Sequence, residues 1–520
     1  PLDSAMALFR SIATVGGWTM MSRVLGFARD MLLANVLGTG MVADAFFVAF
    51  KFPNFFRRLF AEGAFNAGFV PLFAGRLTTD GRDAALRFAA EVAAVMTTAL
   101  IIFSIAVILA MPWLMYAIAP GFAEDPVKFD MTVEMTRVTF PYLLFMALIA
   151  LMGGMLNSLE RFAAAAAAPI FLNIVLIAVL LLVQAGVFPV PGYALAWGVA
   201  AAGLGQFVWI AWACKRAGIL TALPRPRLTP GVKRLFVLMV PALIGAGVVQ
   251  INLVVDVILA STLREGSVSF LYYADRLNQL PLGVVGVAVG IVLLPTLVRQ
   301  LRSGAAEAAQ YSQNRAIEFA LTLTVPAAAA LIAISGPIVT VLFQRGVFDA
   351  GAADATASAL TAFSIGLPAY VLIKALTPGF YAREDTKTPV KIAIAAVALN
   401  IVLAVILMQT LAHVGIALAT ALAAWMNAAL LGTILVRRGH LTFDARLRNR
   451  IPRLVLASAV LAGGLYTGAT YLRVWLDGGE PERIAALILL VVGGGVVFFG
   501  LAAVTGAVRF GDLREMMSRK

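Results

Sequence analysis

Apolar residues run along this chain in long blocks, and short polar interruptions separate them. A helix needs about 20 apolar residues to cross a hydrocarbon layer. At that length the pattern predicts about fourteen spans: 8–35, 41–73, 88–118, 131–158, 163–185, 191–214, 233–263, 268–299, 313–343, 354–380, 389–409, 412–436, 452–473 and 483–507. Several exceed the minimum, which predicts tilt or interfacial ends. The expected fold class is an all-α polytopic membrane protein.

The polar interruptions are not equivalent. Lys215, Arg216, Arg225, Arg227, Lys233 and Arg234 follow the sixth span, and Arg437, Arg438, Arg446, Arg448, Arg450 and Arg453 follow the twelfth. Arg76, Arg82 and Arg87 follow the second, and Arg509, Arg514, Arg519 and Lys520 form the tail. The alternate loops are short, neutral or acidic, with Glu124, Asp125, Asp130, Asp349, Asp354, Asp477, Glu480 and Glu482. Lys and Arg mark the cytoplasmic side, so both termini are expected there. A weak internal repeat accompanies this: Gly38 to Pro53 and Gly266 to Pro281 have equal spacing, and each runs on to a similar exit, VPLFAGRL at 70–77 and LPTLVRQL at 294–301. Six-span units in one orientation predict two lobes related by a pseudo-two-fold along the membrane normal. The expected domains are 1–220 (helices 1–6), 221–440 (helices 7–12) and 441–520 (helices 13–14).

One stretch breaks the apolar pattern from within. Between Ser22 and Leu77 the chain carries Arg23, Arg29, Asp30, Asp44, Lys51, Arg57, Arg58 and Glu62. Each charge at membrane depth costs about 2.5 kcal/mol or more, so it faces a wet cavity, pairs with a neighbour, or holds something charged. On one continuous helix Asp44, Lys51, Arg58 and Glu62 fall within roughly 40°, a stripe about 27 Å long. Pro53 is expected to interrupt and kink that helix. The stripe reads either as a polar translocation path or as mutual neutralisation that holds helices together. The second half has Asp275 and Arg276 in YYADRLNQLP, and Lys374 in YVLIKALTPGFYARED. These too read as path residues or as salt bridges. Asp256, Asn400 and Thr420 offer oxygen ligands for a small cation such as Na⁺, or are satisfied by their neighbours.

Composition narrows the classes. The chain has 520 residues, 61% hydrophobic and 13% charged, against about 25% charged in soluble domains. Mean hydropathy is +0.93. The net charge of +13 sits in short loops between spans, a pattern of membrane orientation and not of a nucleic-acid face. One cysteine, Cys214, and two histidines, His413 and His440, leave no disulfide framework and no zinc ligand set. The first apolar stretch is long and carries internal arginines, unlike a cleavable signal peptide. Phosphate-loop, HExxH and Ser/His/Asp signatures are missing, so the expectation is a transporter without a cofactor and not an enzyme.

Five blocks carry a resemblance: SRVLGFARD at 22–30, DAFFVAFKFPN at 44–54, RRLFAEGAF at 57–65, YYADRL at 272–277 and TKTPVK at 386–391. They resemble the MurJ (MviN) family, lipid II flippases of the multidrug/oligosaccharidyl-lipid/polysaccharide exporter superfamily. The likeness runs nearly end to end. It implies translocation of the undecaprenyl-pyrophosphate-linked disaccharide-pentapeptide from the inner to the outer leaflet of the bacterial cytoplasmic membrane, by alternating access. It also implies a central cationic cavity for the headgroup and a lipid-tail groove at helices 13–14. The two internal lobes make a monomer sufficient, with lipid II, membrane lipids and the cell-wall synthesis machinery as the expected partners. The family's important charged positions match Arg23, Arg29, Asp30, Asp44, Arg57, Arg58, Glu62, Arg276 and Lys374. One position departs: Asn278 and Gln279 stand where an acid commonly follows ADR.

Chemistry agrees with that reading. A pyrophosphate calls for several guanidiniums, which bind phosphate bidentately. Arg23, Arg29, Arg57, Arg58, Arg276 and Lys374 are the expected headgroup set, with Asp30, Asp44, Glu62 and Asp275 as supporting acids. The alternatives are export of another lipid-linked oligosaccharide of O-antigen type, or multidrug antiport.

Overall fold

The computed structural model describes residues 2–59 and 65–507, and no strand occurs among them. The helices are α1 (Leu2–Leu37), α2 (Met41–Phe56), α3 (Phe65–Thr79), α4 (Arg82–Ile118), α5 (Pro126–Thr139), α6 (Tyr142–Ser158), α7 (Phe162–Gln184), α8 (Pro191–Arg216) and α9 (Pro230–Ser261). They continue as α10 (Ser267–Arg302), α11 (Ala306–Ala333), α12 (Ser335–Phe343), α13 (Ala350–Tyr381), α14 (Lys387–Leu411), α15 (His413–Arg437), α16 (Ala445–Tyr471), α17 (Arg473–Leu476) and α18 (Glu480–Val504). Ten helical stretches among the described residues are long and apolar enough to cross a membrane, so this is a multi-pass membrane protein. The four other expected spans, 8–35, 41–73, 233–263 and 268–299, are the ones that carry Arg23, Arg29, Asp30, Asp44, Lys51, Asp256, Asp275 and Arg276.

The expected interruption at Pro53 does not occur: α2 continues through it to Phe56. Proline lacks an N–H and frees the carbonyl four residues back. Here that carbonyl belongs to Ala49, and the buried Thr139 hydroxyl donates to it at 2.8 Å. The same helix serves a second proline. Pro112 lies inside α4, and Arg137 Nε donates to the freed Ile108 carbonyl at 3.1 Å. Neighbouring side chains thus satisfy the backbone that proline leaves open. Beyond Phe56 the chain takes a π-helical turn at 57–59. The α-helical phase that would align Arg58 with Asp44 and Lys51 ends there, and Glu62 lies outside the described residues.

The chain divides into two compact units. The first comprises 1–269 with the short segment Arg345–Phe348. In it α1 packs on α7, α7 on α8, α2 on α5, and α9 on α3 and α4. Its core holds a ladder of rings, Phe65, Phe69 and Phe73 stacked with Phe88 at centroid separations of 5.0–5.9 Å. Cys214 is buried in the same core. The second unit comprises 270–344 and 349–520. There α13 packs on α15 and α11, and α16 on α11 and α18. Small residues set that spacing: a Cβ on Gly366 would stand 2.8 Å from Ala421 Cα. Close backbone approach through Gly and Ala is how helices pack in lipid, where water drives no association.

Candidate functional site

Asp44 stands in the first turn of α2 and is 1% exposed. Its Oδ2 accepts from Lys128 Nζ at 2.8 Å and from the Gly266 backbone N–H at 2.8 Å. Its Oδ1 accepts from the Ser269 backbone N–H at 3.0 Å and from the Ser269 hydroxyl at 2.6 Å. Four donors occupy the roughly four lone-pair sites of a carboxylate. Two of those donors are backbone groups around the start of α10, the end of a helix that attracts negative charge. Lys128 is itself buried and lies 4.1 Å from the Phe122 ring centre. The partners of Asp44 are therefore a lysine and the α10 N-terminus, and not an arginine. Beside this hub Met41 N–H donates to Glu265, and Val347 N–H donates to Asn35 O at 3.1 Å.

Arg29 and Asp30 are buried together on α1. Arg29 donates from Nε and Nη2 to Asp30 Oδ1 at 3.1 and 2.7 Å, and from Nη1 to Asn173 Oδ1 at 2.9 Å. Asn173, on α7, donates in turn to the Ser22 carbonyl at 2.9 Å. The carboxylate and the amide hold the guanidinium plane, and the amide ties α7 back to α1. On the same stretch Arg57 donates from Nε to Asn54 Oδ1 at 2.9 Å, and Asn54 donates to the Phe50 carbonyl at 2.7 Å. Arg23 and Arg58 are exposed, and Lys51 is half-buried.

In the second unit Arg276 donates to the Tyr272 hydroxyl at 3.1 Å and lies 4.9 Å from that ring centre. Asp275 accepts from Gln279 one turn on, so the residue standing where an acid was expected satisfies the preceding one. Lys374, on α13, is exposed and lies along α10, where a Cβ on Gly286 would meet its Nζ at 2.7 Å. Asn400 is buried on α14, while Thr420, on the adjacent α15, donates to the Ile416 carbonyl at 3.1 Å. Asp256 is half-buried on α9, in the first unit.

Sequence reasoning missed Asn173 and Lys128. The pentapeptide LNIVL at 172–176 returns at 399–403. Asp256 precedes Asn400 by the same 144 residues that separate Arg29 from Asn173. That repeat was the signal for Asn173. Reasoning also missed a buried cluster at α11 and α16. Glu318 accepts from Arg315, from Arg446 and from Arg450. Arg315 also pairs with Asp444, which caps α16 by accepting the Leu447 N–H at 2.7 Å. An apolar groove of about 330 Å³ lies between α16 and α18, lined by residues that include Leu461, Gly464, Gly468, Leu490, Gly493 and Gly494.

The family model for lipid II flippase MurJ matches residues 33–485. The chain is similar to a probable lipid II flippase MurJ of Rhizobium meliloti, 50% identical over 519 residues, which covers 99% of this chain and 97% of the relative. It is similar to the lipid II flippase MurJ of Burkholderia cenocepacia, 36% identical over 508 residues, covering 96% and 98%. Among solved structures it resembles a lipid II flippase MurJ in an inward closed conformation, with a TM-score of 0.76 at 24% identity, covering 94% and 98%. It also resembles an inward-facing multidrug MATE transporter, with a TM-score of 0.67 at 15% identity, covering 82% and 97%. These two structural likenesses concern the fold.

Proposed function

This chain belongs to the lipid II flippase MurJ family, is a membrane transporter that flips lipid II, and we propose how its residues do so. The observation that carries the function is the family match over residues 33–485 together with 50% identity across 99% of the chain. In our reading the protein sits in the cytoplasmic membrane with both termini inside and crosses it about fourteen times. Two six-helix lobes alternate access to a headgroup cavity, and the apolar groove of α16 and α18 takes the lipid tail.

We assign the pyrophosphate to Arg23, Arg29, Arg57, Arg58, Arg276 and Lys374. Guanidiniums match phosphate oxygens bidentately, and the exposure of Arg23, Arg58 and Lys374 leaves them accessible to an anion. Asp30 and Asp275 act as supporting acids, as does Glu62, while Asp44 supports the site by fastening α2 to the α10 N-terminus. Release is electrically favourable: moving two negative charges outward across 100 mV gains about 4–5 kcal/mol. A cation such as Na⁺ at Asp256, Asn400 and Thr420 would reset the empty carrier. The repeat supports this, since its first copy has the Arg29 guanidinium at the register where its second copy has Asp256. Asp256→Ala is then expected to abolish any sodium dependence of transport, and an unchanged dependence removes the cation from the cycle.

The deciding experiment is complementation in a bacterium depleted of its own lipid II flippase. Lipid II headgroup accessible outside the cytoplasmic membrane is measured with wild type and with Arg29→Ala at matched expression. Rescue by wild type and at least a tenfold loss in the variant are expected. Rescue by both keeps the function and removes Arg29 from the site. Failure of a well-expressed wild type points to another lipid-linked oligosaccharide.

A further inference from the structure

Between α8 and α9 the chain runs from Ile219 to Thr229 without helix or strand. This strap is fastened to the first unit at both ends. Arg82 donates to the Ala217 and Gly218 carbonyls at 2.8 and 3.2 Å, and Ile219 is buried in the core. At the other end Thr229 donates to Glu91 at 2.8 Å, and Arg76 packs against Gly231. Between these fastenings every residue from 220 to 228 is exposed. Pro224 and Pro226 fix their own φ and bias Leu223 and Arg225 toward extended backbone, so the strap is stiff.

What it exposes is specific. Leu220, Leu223 and Leu228 are 46%, 58% and 59% exposed. Arg225 and Arg227 lie between Leu223 and Leu228 and have no ion-pair partner among the described residues. Lys215, Arg216, Lys233 and Arg234 flank the strap, all exposed, and no acid occurs from 215 to 234. Arg216 lies over the Trp212 ring at 4.4 Å, and Trp212 is 46% exposed one turn before the end of α8. A half-exposed tryptophan beside an arginine is the side-chain pair of a membrane–water boundary. Orientation needs only a count of cations in a loop. It does not need leucines held in the open by a chain pinned at both ends.

We propose that residues 220–228 form a docking surface for the anionic phospholipid headgroups of the inner leaflet, with Arg225 and Arg227 on the phosphates and the three leucines in the interface. The proposal rests on the cytoplasmic placement of this loop, and it adds a lipid contact at the only connection between α8 and α9. A soluble acidic partner would pair with the arginines but leave the leucines in water, which is why we assign a lipid surface.

The test uses the full chain in nanodiscs, one set of phosphatidylcholine alone and one with a third of the lipid as phosphatidylglycerol. Amide exchange of 219–229 is expected to be about fivefold or more slower in the anionic discs. The difference is expected to vanish in Arg225→Gln/Arg227→Gln and to shrink at high salt, while exchange in α4 stays constant. Equal exchange in the two lipids, or protection that survives the double substitution, overturns the docking. Placement is read separately: Leu223→Cys, in a chain whose own Cys214 is buried, is expected to react with maleimide only after the cells are opened. Reaction from outside overturns the inner-leaflet assignment at its premise, whatever the exchange shows.

Discussion

Asp44 in the first unit and Glu318 in the second are both buried carboxylates at 1% and 9% exposure, yet they are neutralised in opposite ways. Asp44 takes one ammonium and three uncharged donors, two of them backbone N–H groups. Charge is matched one to one, and the geometry ties two distant pieces of chain, Lys128 and 266–269, to one side chain. Glu318 takes three guanidiniums, one of which, Arg446, is 33% exposed at its side chain. Asp444 shares Arg315, so two carboxylates stand among three guanidiniums, and Arg446 reaches water. The first arrangement fixes position through a single charge pair; the second holds α16 on α11 through several guanidiniums.

The difference can be broken at several points. Asp44→Ala strands the buried Lys128 and two helix-start N–H groups, and is expected to cost about 3–5 kcal/mol, read as a large fall in Tm of the purified protein. Glu318→Gln removes the carboxylate that three arginines share, but Arg315 keeps Asp444 and Arg446 can turn to solvent, so about 1–3 kcal/mol is expected by the same measurement. Lys128→Met leaves Asp44 with its three neutral donors and belongs in the same range; combined with Asp44→Asn it should cost less than the sum of the two, because no charge is then stranded. Arg446→Gln should fall within about 0–1 kcal/mol. If Asp44→Ala costs no more than Arg446→Gln, the two carboxylates do not differ in the way described.

A weaker, exposed pair sets the lower limit. Asp385, in the turn between α13 and α14, accepts from Thr388 at 2.6 and 3.0 Å and from Arg438 at 2.6 Å. The Thr388 bonds first, and then Arg438, hold its carboxyl well below the usual carboxylate range. A depressed pKa contributes stability above the unfolded value of about 4, and that contribution is lost as pH falls below it. The protection of amides at residues 382–388, taken relative to their intrinsic exchange rate at each pH, should therefore stay level from pH 7 to about 5 and fall below about 4. Asp385→Asn should show the weaker protection at about pH 5–7, with the gap to wild type narrowing as pH falls, a smaller effect than any above.

Much of this was legible in the sequence because charge inside an apolar run is costly and therefore visible. Arg29, Asp30, Asp44 and Arg276 stood out on that ground alone. Lys128 did not, because EDPVKFD at 124–130 reads as a polar loop. Yet Asp125 caps α5 by accepting from the Val127 and Lys128 N–H groups, and Pro126 opens it, which is a helix start written in ordinary residues. The charged stripe from Asp44 to Glu62 was drawn on a single α-helix. The π-helical turn at 57–59 ends that phase, and no periodicity argument foresees a change of pitch. Glu318 has one local partner, Arg315 one turn back, but Arg446 and Arg450 lie far along the chain on α16, and pairing at that range leaves no local pattern.

The Thr139 hydroxyl on the Ala49 carbonyl makes Pro53 and Thr139 a single heritable unit, although they lie far apart in the chain. A lineage that loses Pro53 regains its own backbone donor and releases Thr139 to become valine. A lineage that loses Thr139 first carries an orphan carbonyl until the proline also changes. Substitutions at the two positions should accordingly occur in a preferred order, proline before threonine, across the descendants of this sequence.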